Sequence, residues 1–280
     1  MTNKTLDSSG ELVTASLLVS VFSGFVVAYH YEVSAPFLSS VAVEAVLPFG
    51  AFWRSMHFWS SQLFFMLLLY HSWKNLARLP RISRRNSGRS HWLTVSLTIP
   101  TAILTLFTGY VLRFDGTGQA AGTIAEHLLV GIPGIGTGLN RFLMAVSEDG
   151  LNRVYLVHFI LTALLFGLGV WYHTRRIILK KRIFFVAAAC SACTAAVVRA
   201  PMDLPDENIT LITGPWFFLG TQELLRHSPP LLAGIIFPFI PILTFAALPW
   251  ISNRKVPFIL LASWGLAYVL LSIACLIRSS

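Results

Sequence analysis

The sequence has 280 residues, of which 55% are hydrophobic and only 12% are charged, and its mean hydropathy is +0.69. This composition excludes an ordinary soluble domain, in which about a quarter of the residues are charged. The net charge is +9, but the basic residues lie in loops between apolar runs and do not indicate a nucleic-acid partner. The composition therefore predicts an all-α, polytopic membrane protein.

Seven apolar runs have lengths near the roughly 20 residues that span a hydrocarbon core as a helix. They cover residues 11–30, 52–73, 91–112, 151–174, 182–199, 228–250 and 257–277. Most of the 21 Lys and Arg residues fall in the intervening loops 74–89, 175–182 and 254–255, which the positive-inside rule assigns to the cytoplasm. We therefore expect a multi-pass protein of a bacterial inner membrane, or an equivalent energy-transducing membrane, with its amino terminus inside and its carboxyl terminus outside.

Four histidines stand inside two of these runs, where an ionisable side chain is costly and therefore indicates a function. His57 and His71 are fourteen residues apart in one run, and His158 and His173 are fifteen apart in another. In an α-helix, fourteen residues return to within roughly 40° of the starting direction and rise about 21 Å, while fifteen rise about 22 Å. Each run therefore presents two imidazoles on about one face, at two matched depths.

Two such helices can hold two metal macrocycles, one between His57 and His158 and one between His71 and His173. Bis-imidazole ligation leaves no open coordination position, so the spacing predicts haems that carry electrons and do not bind oxygen. Two alternatives stay open. One is a proton-coupled transporter that uses the histidines as relays, and the other is a bare zinc or copper site, whose ligands would converge on one point.

Glycines occur at matching intervals. Gly10 and Gly24 are fourteen residues apart in the first run, and Gly109 stands near the end of the third. Because glycine has no side chain, a flat ring or another helix can press against its backbone. The three glycines are therefore candidate haem contacts.

Together these features resemble cytochrome b of the bc1 and b6f complexes, and the 14/15 spacing is similar to that of the b6 type. The resemblance covers about residues 8 to 277 and continues into a part similar to subunit IV of the split form. The segments that carry it are Ser23-Gly24-Phe25, Arg54-Ser-Met-His57, Thr108-Gly109-Tyr110, Ile132-Pro-Gly-Ile-Gly136, Arg153-Val-Tyr-Leu-Val-His158, Gly214-Pro-Trp-Phe-Phe218 and Gln222-Glu-Leu-Leu-Arg226.

The resemblance implies a di-haem four-helix bundle over residues 1–181, followed by three subunit IV-like helices over residues 182–280. It assigns His57 and His158 to an outer, lower-potential haem, and His71 and His173 to an inner, higher-potential haem. Arg54 would pair with a haem propionate. Quinol would be oxidised on the outer side, in a pocket that includes Tyr110, Pro215, Trp216 and Phe217.

One departure from the family bears directly on the outer quinone pocket. The family has Pro-Glu-Trp-Tyr in this loop, and its Glu is the proposed acceptor of a quinol proton, whereas this chain has Pro215 at that position and Phe217 in place of Tyr. Proline cannot take a proton. Four nearby carboxylates are candidate substitutes: Asp203, Asp206, Glu207 and Glu223.

The resulting interpretation is the di-haem subunit of a bc-type quinol oxidoreductase that works between membrane quinone and two b haems. The sequence contains three cysteines and no CxxCH motif. Partner subunits would therefore supply a Rieske iron–sulfur centre, a c-type cytochrome with one or several haems, or both. The resemblance also implies a homodimer in contact with membrane lipid. The alternative within redox chemistry is a di-haem membrane anchor that passes electrons between quinone and a peripheral subunit without bifurcation.

Overall fold

The computed structural model describes residues 8–148, 150–173, 179–203 and 212–279, and it is helical throughout, with no strand in these ranges. The all-α class predicted from composition is therefore confirmed. The α-helices are α1 (Ser8–Tyr29), α2 (Pro36–Ala45), α3 (Gly50–Asn75), α4 (Leu79–Ile82), α5 (Asn86–Ser96), α6 (Thr98–Leu112), α7 (Gly116–Val130), α8 (Gly136–Leu143), α9 (Leu151–Leu165), α10 (Lys181–Val197), α11 (Leu219–Leu225), α12 (Phe237–Ala247) and α13 (Lys255–Ser279).

Each of the seven apolar runs is mostly helical, but the helices differ in length. Five in the described chain are long and apolar enough to cross a membrane: Ser8–Tyr29, Asn86–Leu112, Leu151–Tyr172, Leu232–Trp250 and Lys255–Ser279. Pro36–Ala45 and Gly50–Ile82 make a sixth if this bent pair counts as one span. The helix in the run 182–199 has 17 residues, about 25 Å of rise, which is less than a core of about 30 Å. The protein is thus a multi-pass membrane protein.

Helix α2 lies between the first two apolar runs, in a stretch for which hydropathy predicts no span. It meets the helical segment that begins at Gly50 at an angle of 110°. At this corner Phe49 adopts a left-handed backbone conformation with φ of 59°. Gly50 packs against the backbone carbonyl of Val43 so closely that a Cβ atom would not fit. A side chain of any size at position 50 would therefore open the corner.

The described residues form two compact units, and the first comprises those within 1–78, 101–106 and 160–202. In this unit α1, α3 and α10 pack against one another. Val19, Met56 and Ala195, one residue from each helix, form the centre of the contact. The side chains of Ser20 and Ser61 add a hydrogen bond of 2.8 Å between α1 and α3. Small and hydroxyl side chains at such contacts allow membrane helices to approach closely.

The second unit comprises the described residues within 79–100, 107–159 and 203–280. In it α13 packs against α11 and α12, and α12 packs against α5. The indole of Trp92 on α5 donates a hydrogen bond of 3.0 Å to the carbonyl of Phe245 on α12. Helices α7 and α8 pack together across a short turn that contains Gly134, with φ of +80°. This turn lies within the glycine-rich run 131–138.

The two units do not follow the predicted division at residue 181. Helix α10, which the resemblance groups with the carboxyl-terminal part, packs with α1 and α3 in the first unit. The division into a b6-like and a subunit IV-like part therefore stays a prediction about sequence relationship and does not describe the compact units.

Contacts between loops agree with the predicted sides of the membrane. In the first unit, Lys180 forms an ion pair of 3.3 Å with Glu11 near the start of α1. In the second unit, Arg254 donates to the side chain of Ser83 over 3.1 Å. Each contact joins two segments that the charge pattern assigns to the cytoplasmic side. Which side faces the cytoplasm stays a prediction.

Candidate functional site

His57 lies on α3 and its imidazole reaches α1. Its Nδ1 atom is 2.9 Å from the backbone carbonyl oxygen of Ser20. A carbonyl oxygen only accepts hydrogen bonds, so Nδ1 must carry the proton and donate it. The lone pair of the neutral ring is then on Nε2, which is the arrangement that a metal-ligating histidine requires.

Gly24 on α1 sets how closely α1 approaches this imidazole. A Cβ atom built on Gly24 would lie 2.8 Å from Cε1 and 3.0 Å from Nδ1 of His57. These distances are too short for a carbon contact, so alanine or any larger residue would push the ring away. The prediction that Gly24 permits a close approach of a flat ring therefore has a specific physical basis, although the ring it meets is the histidine itself.

His71 lies near the other end of α3, and its Nδ1 atom is 3.1 Å from the hydroxyl oxygen of Ser9 on α1. The side-chain nitrogen of Asn75 is 3.0 Å from Nε2 of His71 and donates to its carbonyl over 2.7 Å. Gly10 follows Ser9 directly and is buried in α1. The structure thus brings the predicted haem contact Gly10 to the level of His71. Gly10 lies on α1, the helix whose Ser20 carbonyl also contacts His57.

His173 lies next to His71 in the first unit. The two ring centroids are 6.2 Å apart, and the ring planes are inclined by 76°. Two imidazoles that bind one metal from opposite sides through Nε2 have centroids about 6.3 Å apart, given metal–nitrogen bonds of about 2.0–2.1 Å. The separation therefore fits a single metal ion between the two rings.

A π-helical turn, Phe166–Tyr172, immediately precedes His173. Hydrogen bonds in a π-helix join i to i+5, so such a turn holds more residues than an α-helical turn. The spacing of fifteen in the second pair, against fourteen in the first, is then absorbed by the wider turn. The sequence analysis noted the extra residue but could not say where the helix accommodates it.

His158 lies on α9 in the second unit. Its Nδ1 atom is 3.0 Å from the hydroxyl oxygen of Thr108 on α6. A Cβ atom on Gly109 would lie 3.0 Å from Cε1 of His158. Gly109 therefore allows α6 to approach this ring closely, as Gly24 allows α1 to approach His57. His57 and His158 belong to different compact units, and their pairing stays a prediction from the sequence.

These donors suit haem better than a bare metal ion. His57, His71 and His158 each have Nδ1 in a hydrogen bond, which directs Nε2 to a metal. No group of three or more His, Cys, Asp or Glu side chains that could hold a metal ion occurs in the described ranges. A zinc or copper site with converging protein ligands is thus not supported there, whereas two histidines are all that a haem iron requires.

Arg54, predicted to pair with a haem propionate, is engaged by protein groups. Its Nε atom is 2.6 Å from a carboxylate oxygen of Glu44, and its Nη2 atom donates to the carbonyl of Ala200 over 2.5 Å. A third contact of 3.3 Å reaches the carbonyl of Pro201. Arg54 therefore ties α2 and α3 to the segment that follows α10. The propionate role stays a prediction.

The predicted quinone residues 215–217 lie at the start of a short 3-10 turn, Trp216–Phe218. The ring of Phe218 contacts the ring of Phe107 on α6, with centroids 5.2 Å apart. Phe107 is one helical turn before Tyr110. Tyr268 on α13 donates a hydrogen bond of 2.5 Å to the carbonyl of Phe217. The turn that begins at Pro215 is thus fixed beside the end of α6 that carries Tyr110.

Tyr110 belongs to a polar network that the sequence analysis missed. The guanidinium of Arg113 lies over the Tyr110 ring, 4.6 Å from its centroid, and pairs with Asp115 over 2.6 Å. Thr117 donates a hydrogen bond of 2.6 Å to Asp203. Of the four carboxylates proposed as substitutes for the missing glutamate, Asp203 is the one found in this network, and Asp206 and Glu207 lie outside the described residues.

Glu223, the fourth candidate, is surrounded by two arginines and a histidine. Its buried carboxylate lies 2.8 Å from Arg278, 3.2 Å from His227 and 3.6 Å from Arg226. Burial acts to raise the pKa of Glu223, but the hydrogen bond with His227 and the charges of Arg278 and Arg226 outweigh it and hold this pKa below its ordinary value. Glu223 therefore stays ionised at neutral pH and suits an anchoring role, not proton uptake.

Two hydroxyl residues next to histidines were also missed, and the sequence did contain a signal for them. Ser9 directly precedes Gly10, and Thr108 directly precedes Gly109. In both pairs the hydroxyl meets the Nδ1 atom of a histidine on a neighbouring helix. A hydroxyl residue followed by glycine, at the depth of an intramembrane histidine, is thus a pattern worth searching for.

Comparison with known proteins agrees with this geometry. Residues 4–178 match the family described as Cytochrome b/b6/petB, and residues 201–278 match the one described as Cytochrome b(C-terminal)/b6/petD. The fold is similar to a chain of a solved structure titled "Hyperthermophilic respiratory Complex III", with a TM-score of 0.60 and 17% identity over 98% of this chain and 91% of that one. Because the first match covers more than half of the sequence, the chain belongs to the cytochrome b family, whose members are haem-binding membrane proteins of electron transport.

Proposed function

We propose that this chain is the di-haem subunit of a bc-type quinol oxidoreductase, which transfers electrons between quinone and two b haems across the membrane. His57 and His158 would ligate the outer haem, and His71 and His173 the inner haem. The observation that carries this proposal is the 6.2 Å separation of the His71 and His173 rings. The hydrogen bonds at Nδ1 of His57, His71 and His158 support it.

When bound, each haem supplies a reversible one-electron change at an iron without an open coordination position. The residues of the chain orient the two ligands and exclude others. The carbonyl of Ser20 holds His57 in the tautomer that leaves Nε2 for a metal. Gly24 and Gly109 let their helices approach His57 and His158 closely enough to fix the rings.

The chain would work inside a larger complex. The sequence has three cysteines and no CxxCH motif, so the high-potential centre would belong to partners. These would be a Rieske iron–sulfur protein, a c-type cytochrome with one or several haems, or both. The similarity to a chain of a structure titled a respiratory Complex III supports such an assembly. We further propose a homodimer in an inner, energy-transducing membrane, with the amino terminus inside and the carboxyl terminus outside.

A second candidate is a di-haem membrane anchor that exchanges electrons with quinone and a peripheral subunit without bifurcation. The presence of Pro215 where the family has glutamate favours it. Both candidates predict two low-spin haems. They differ in whether quinol oxidation on the outer side splits its two electrons between the b haems and an external centre. The proton-coupled transporter, by contrast, predicts a colourless protein.

The test is a redox-titrated visible spectrum of the purified chain, with haem quantified as its pyridine complex. We expect two low-spin b haems per chain in the parent and one in each of His57→Ala and His173→Ala. His30→Ala, which changes an exposed histidine, should keep both. A parent without b-type absorbance, or variants that keep two unaltered haems, would overturn the assignment.

A further inference from the structure

A chain of polar contacts leads from Tyr110 towards solvent. The Thr117 side chain pairs with the Tyr110 hydroxyl. Thr117 donates over 2.6 Å to Oδ2 of Asp203, which is the shorter of its two carboxylate contacts, the other being 3.2 Å to Oδ1 of Asp115. Tyr110 is half-buried at the end of α6, whereas the side chain of Asp203 is 42% exposed. Every link lies within the second compact unit. The chain therefore connects a predicted quinone-pocket residue with a carboxylate that solvent can reach.

The charges around this chain are unequal. Two carboxylates, Asp115 and Asp203, share the single guanidinium of Arg113. Asp115 is fully buried and lies 2.6 Å from Nε of Arg113, while Asp203 lies 3.7 Å from Nη2. Asp115 also accepts from the backbone N–H groups of Gly118 and Asp203, each over 2.9 Å. Asp115 is thus the close partner of Arg113, and Asp203 is the distant one.

The scaffold fixes this geometry. Nη2 of Arg113 donates to Thr117 over 2.7 Å, so the Thr117 oxygen is held between the guanidinium and Asp203. The backbone N–H of Asp203 donates a hydrogen bond to Oδ2 of Asp115, and this bond joins the segment before α11 to the start of α7. The Asp203 carboxylate is therefore held at one end of the chain and lies 3.7 Å from its arginine, whereas Glu223 lies 2.8 Å from Arg278.

We propose that Asp203 receives, through Thr117 and Tyr110, one proton from quinol oxidised on the outer side, and so replaces the glutamate that Pro215 displaces. This inference rests on the proposed quinol oxidation. It assigns the proton acceptor to the segment after α10 and not to the turn that begins at Pro215. That turn is fixed beside the same end of α6 by the contact between Phe218 and Phe107.

In this step one O–H bond of the quinol breaks and its proton passes to the Tyr110 oxygen. The Tyr110 proton moves to Thr117, and the Thr117 proton forms an O–H bond with Oδ2 of Asp203. Tyr110 and Thr117 are neutral before and after the transfer. The two electrons pass to one-electron acceptors, a b haem and a metal centre of a partner subunit. The second quinol proton goes to water, and Asp203 then releases its proton to the outer aqueous phase.

The experiment uses the complete complex in native membranes, with decylubiquinol and a short-chain menaquinol as substrates. The variants are Asp203→Asn, Thr117→Val, which removes the relay hydroxyl at nearly constant volume, and the double variant. The control is Glu148→Gln, which alters an exposed carboxylate. Haem content and the dithionite-reduced spectrum are measured alongside, because they report assembly independently of quinol oxidation.

We expect kcat of Asp203→Asn and Thr117→Val to fall by about 10²-fold, the lower range for loss of a general acid–base group. The KM for quinol should not change, because neither residue touches the substrate. The double variant should be no slower than the single ones, and Asp203→Glu should recover part of the rate. A merely structural role would change haem content and would give no rescue by glutamate.

Two failures are distinguishable. If the parent complex shows both haems but neither quinol reduces them, the proposed quinol oxidation is wrong. If quinol reduces the haems of the parent and Thr117→Val, fully assembled, oxidises quinol at the parental rate, the proton route is wrong and the proposed function stands. Thr117→Val decides the question even if Asp203→Asn does not assemble.

Discussion

The two ends of α3 hold their histidines by different means. At His57 the partner of Nδ1 is the backbone carbonyl of Ser20, which fixes the tautomer and which remains when the Ser20 side chain is replaced. At His71 the partner is the hydroxyl of Ser9, which can donate or accept. The position of His57 therefore depends on how closely α1 approaches α3, and that of His71 depends on the hydroxyl of Ser9. Substitutions at the two ends should differ in their effects on haem binding.

Gly24→Val should have the largest effect. Its Cβ would lie 2.8 Å from the His57 ring, so the ring or α1 must move, and the carbonyl contact with Ser20 would break. We expect one b haem per chain instead of two, measured as the pyridine complex. Gly265→Val on α13 is the control, since a Cβ there meets nothing within 4 Å. Two haems with parental potentials in Gly24→Val would contradict the dependence on helix approach.

Ser9→Ala should come next and should affect the inner haem. It removes the hydroxyl that meets Nδ1 of His71, and loss of such an outer partner typically weakens metal binding by about 10–100-fold. The measurement is the rate at which haem passes from the purified protein to excess apomyoglobin. Ser263→Ala, whose hydroxyl bonds to its own helix, is the control. An unchanged rate would mean that Ser9 does not orient the ligand.

Thr108→Val should affect the outer haem by less than Ser9→Ala affects the inner one. It removes the hydroxyl that meets Nδ1 of His158, but the carbonyl of Ser20 still orients His57. We expect the rate of outer-haem loss to rise by about tenfold or less, which is the lower limit for the loss of a residue that hydrogen-bonds to a metal ligand. The same haem-transfer assay measures it, with Thr94→Val as control. If outer-haem loss exceeds the inner-haem loss of Ser9→Ala, the fixed carbonyl does not protect the outer site.

Asn75→Ala should have the smallest effect. The Asn75 amide meets Nε2 of His71, and metal binding at this nitrogen would replace that contact. The haem-bound protein then loses only the amide bond to the His71 carbonyl. We expect haem content and the inner-haem potential to stay close to parental. A large loss of inner haem would show that Asn75 takes part in holding the ligand.

The helices could be predicted from the sequence because hydropathy over about 20 residues reflects the cost of placing polar groups in a membrane. The seven apolar runs match helical segments. Helix α2 was missed because ten residues between spans carry no such signal, and its corner depends on the left-handed conformation of Phe49 and on the contact between Gly50 and Val43. The placement of α10 with α1 and α3 was missed because packing partners cannot be deduced from hydropathy.

The sequence by itself determined which histidines stand at two matched depths, because helix rise and the cost of a buried imidazole fix that pattern. Only the tertiary structure decided which ring nitrogen is directed to a metal, since the partner of Nδ1 lies on another helix. It also decided that a π-helical turn takes up the extra residue before His173. Likewise, two arginines and a histidine lie against Glu223, while Asp203 accepts a hydrogen bond from Thr117 beside Tyr110. Carboxylates that look alike in sequence differ in the charges that folding brings to them.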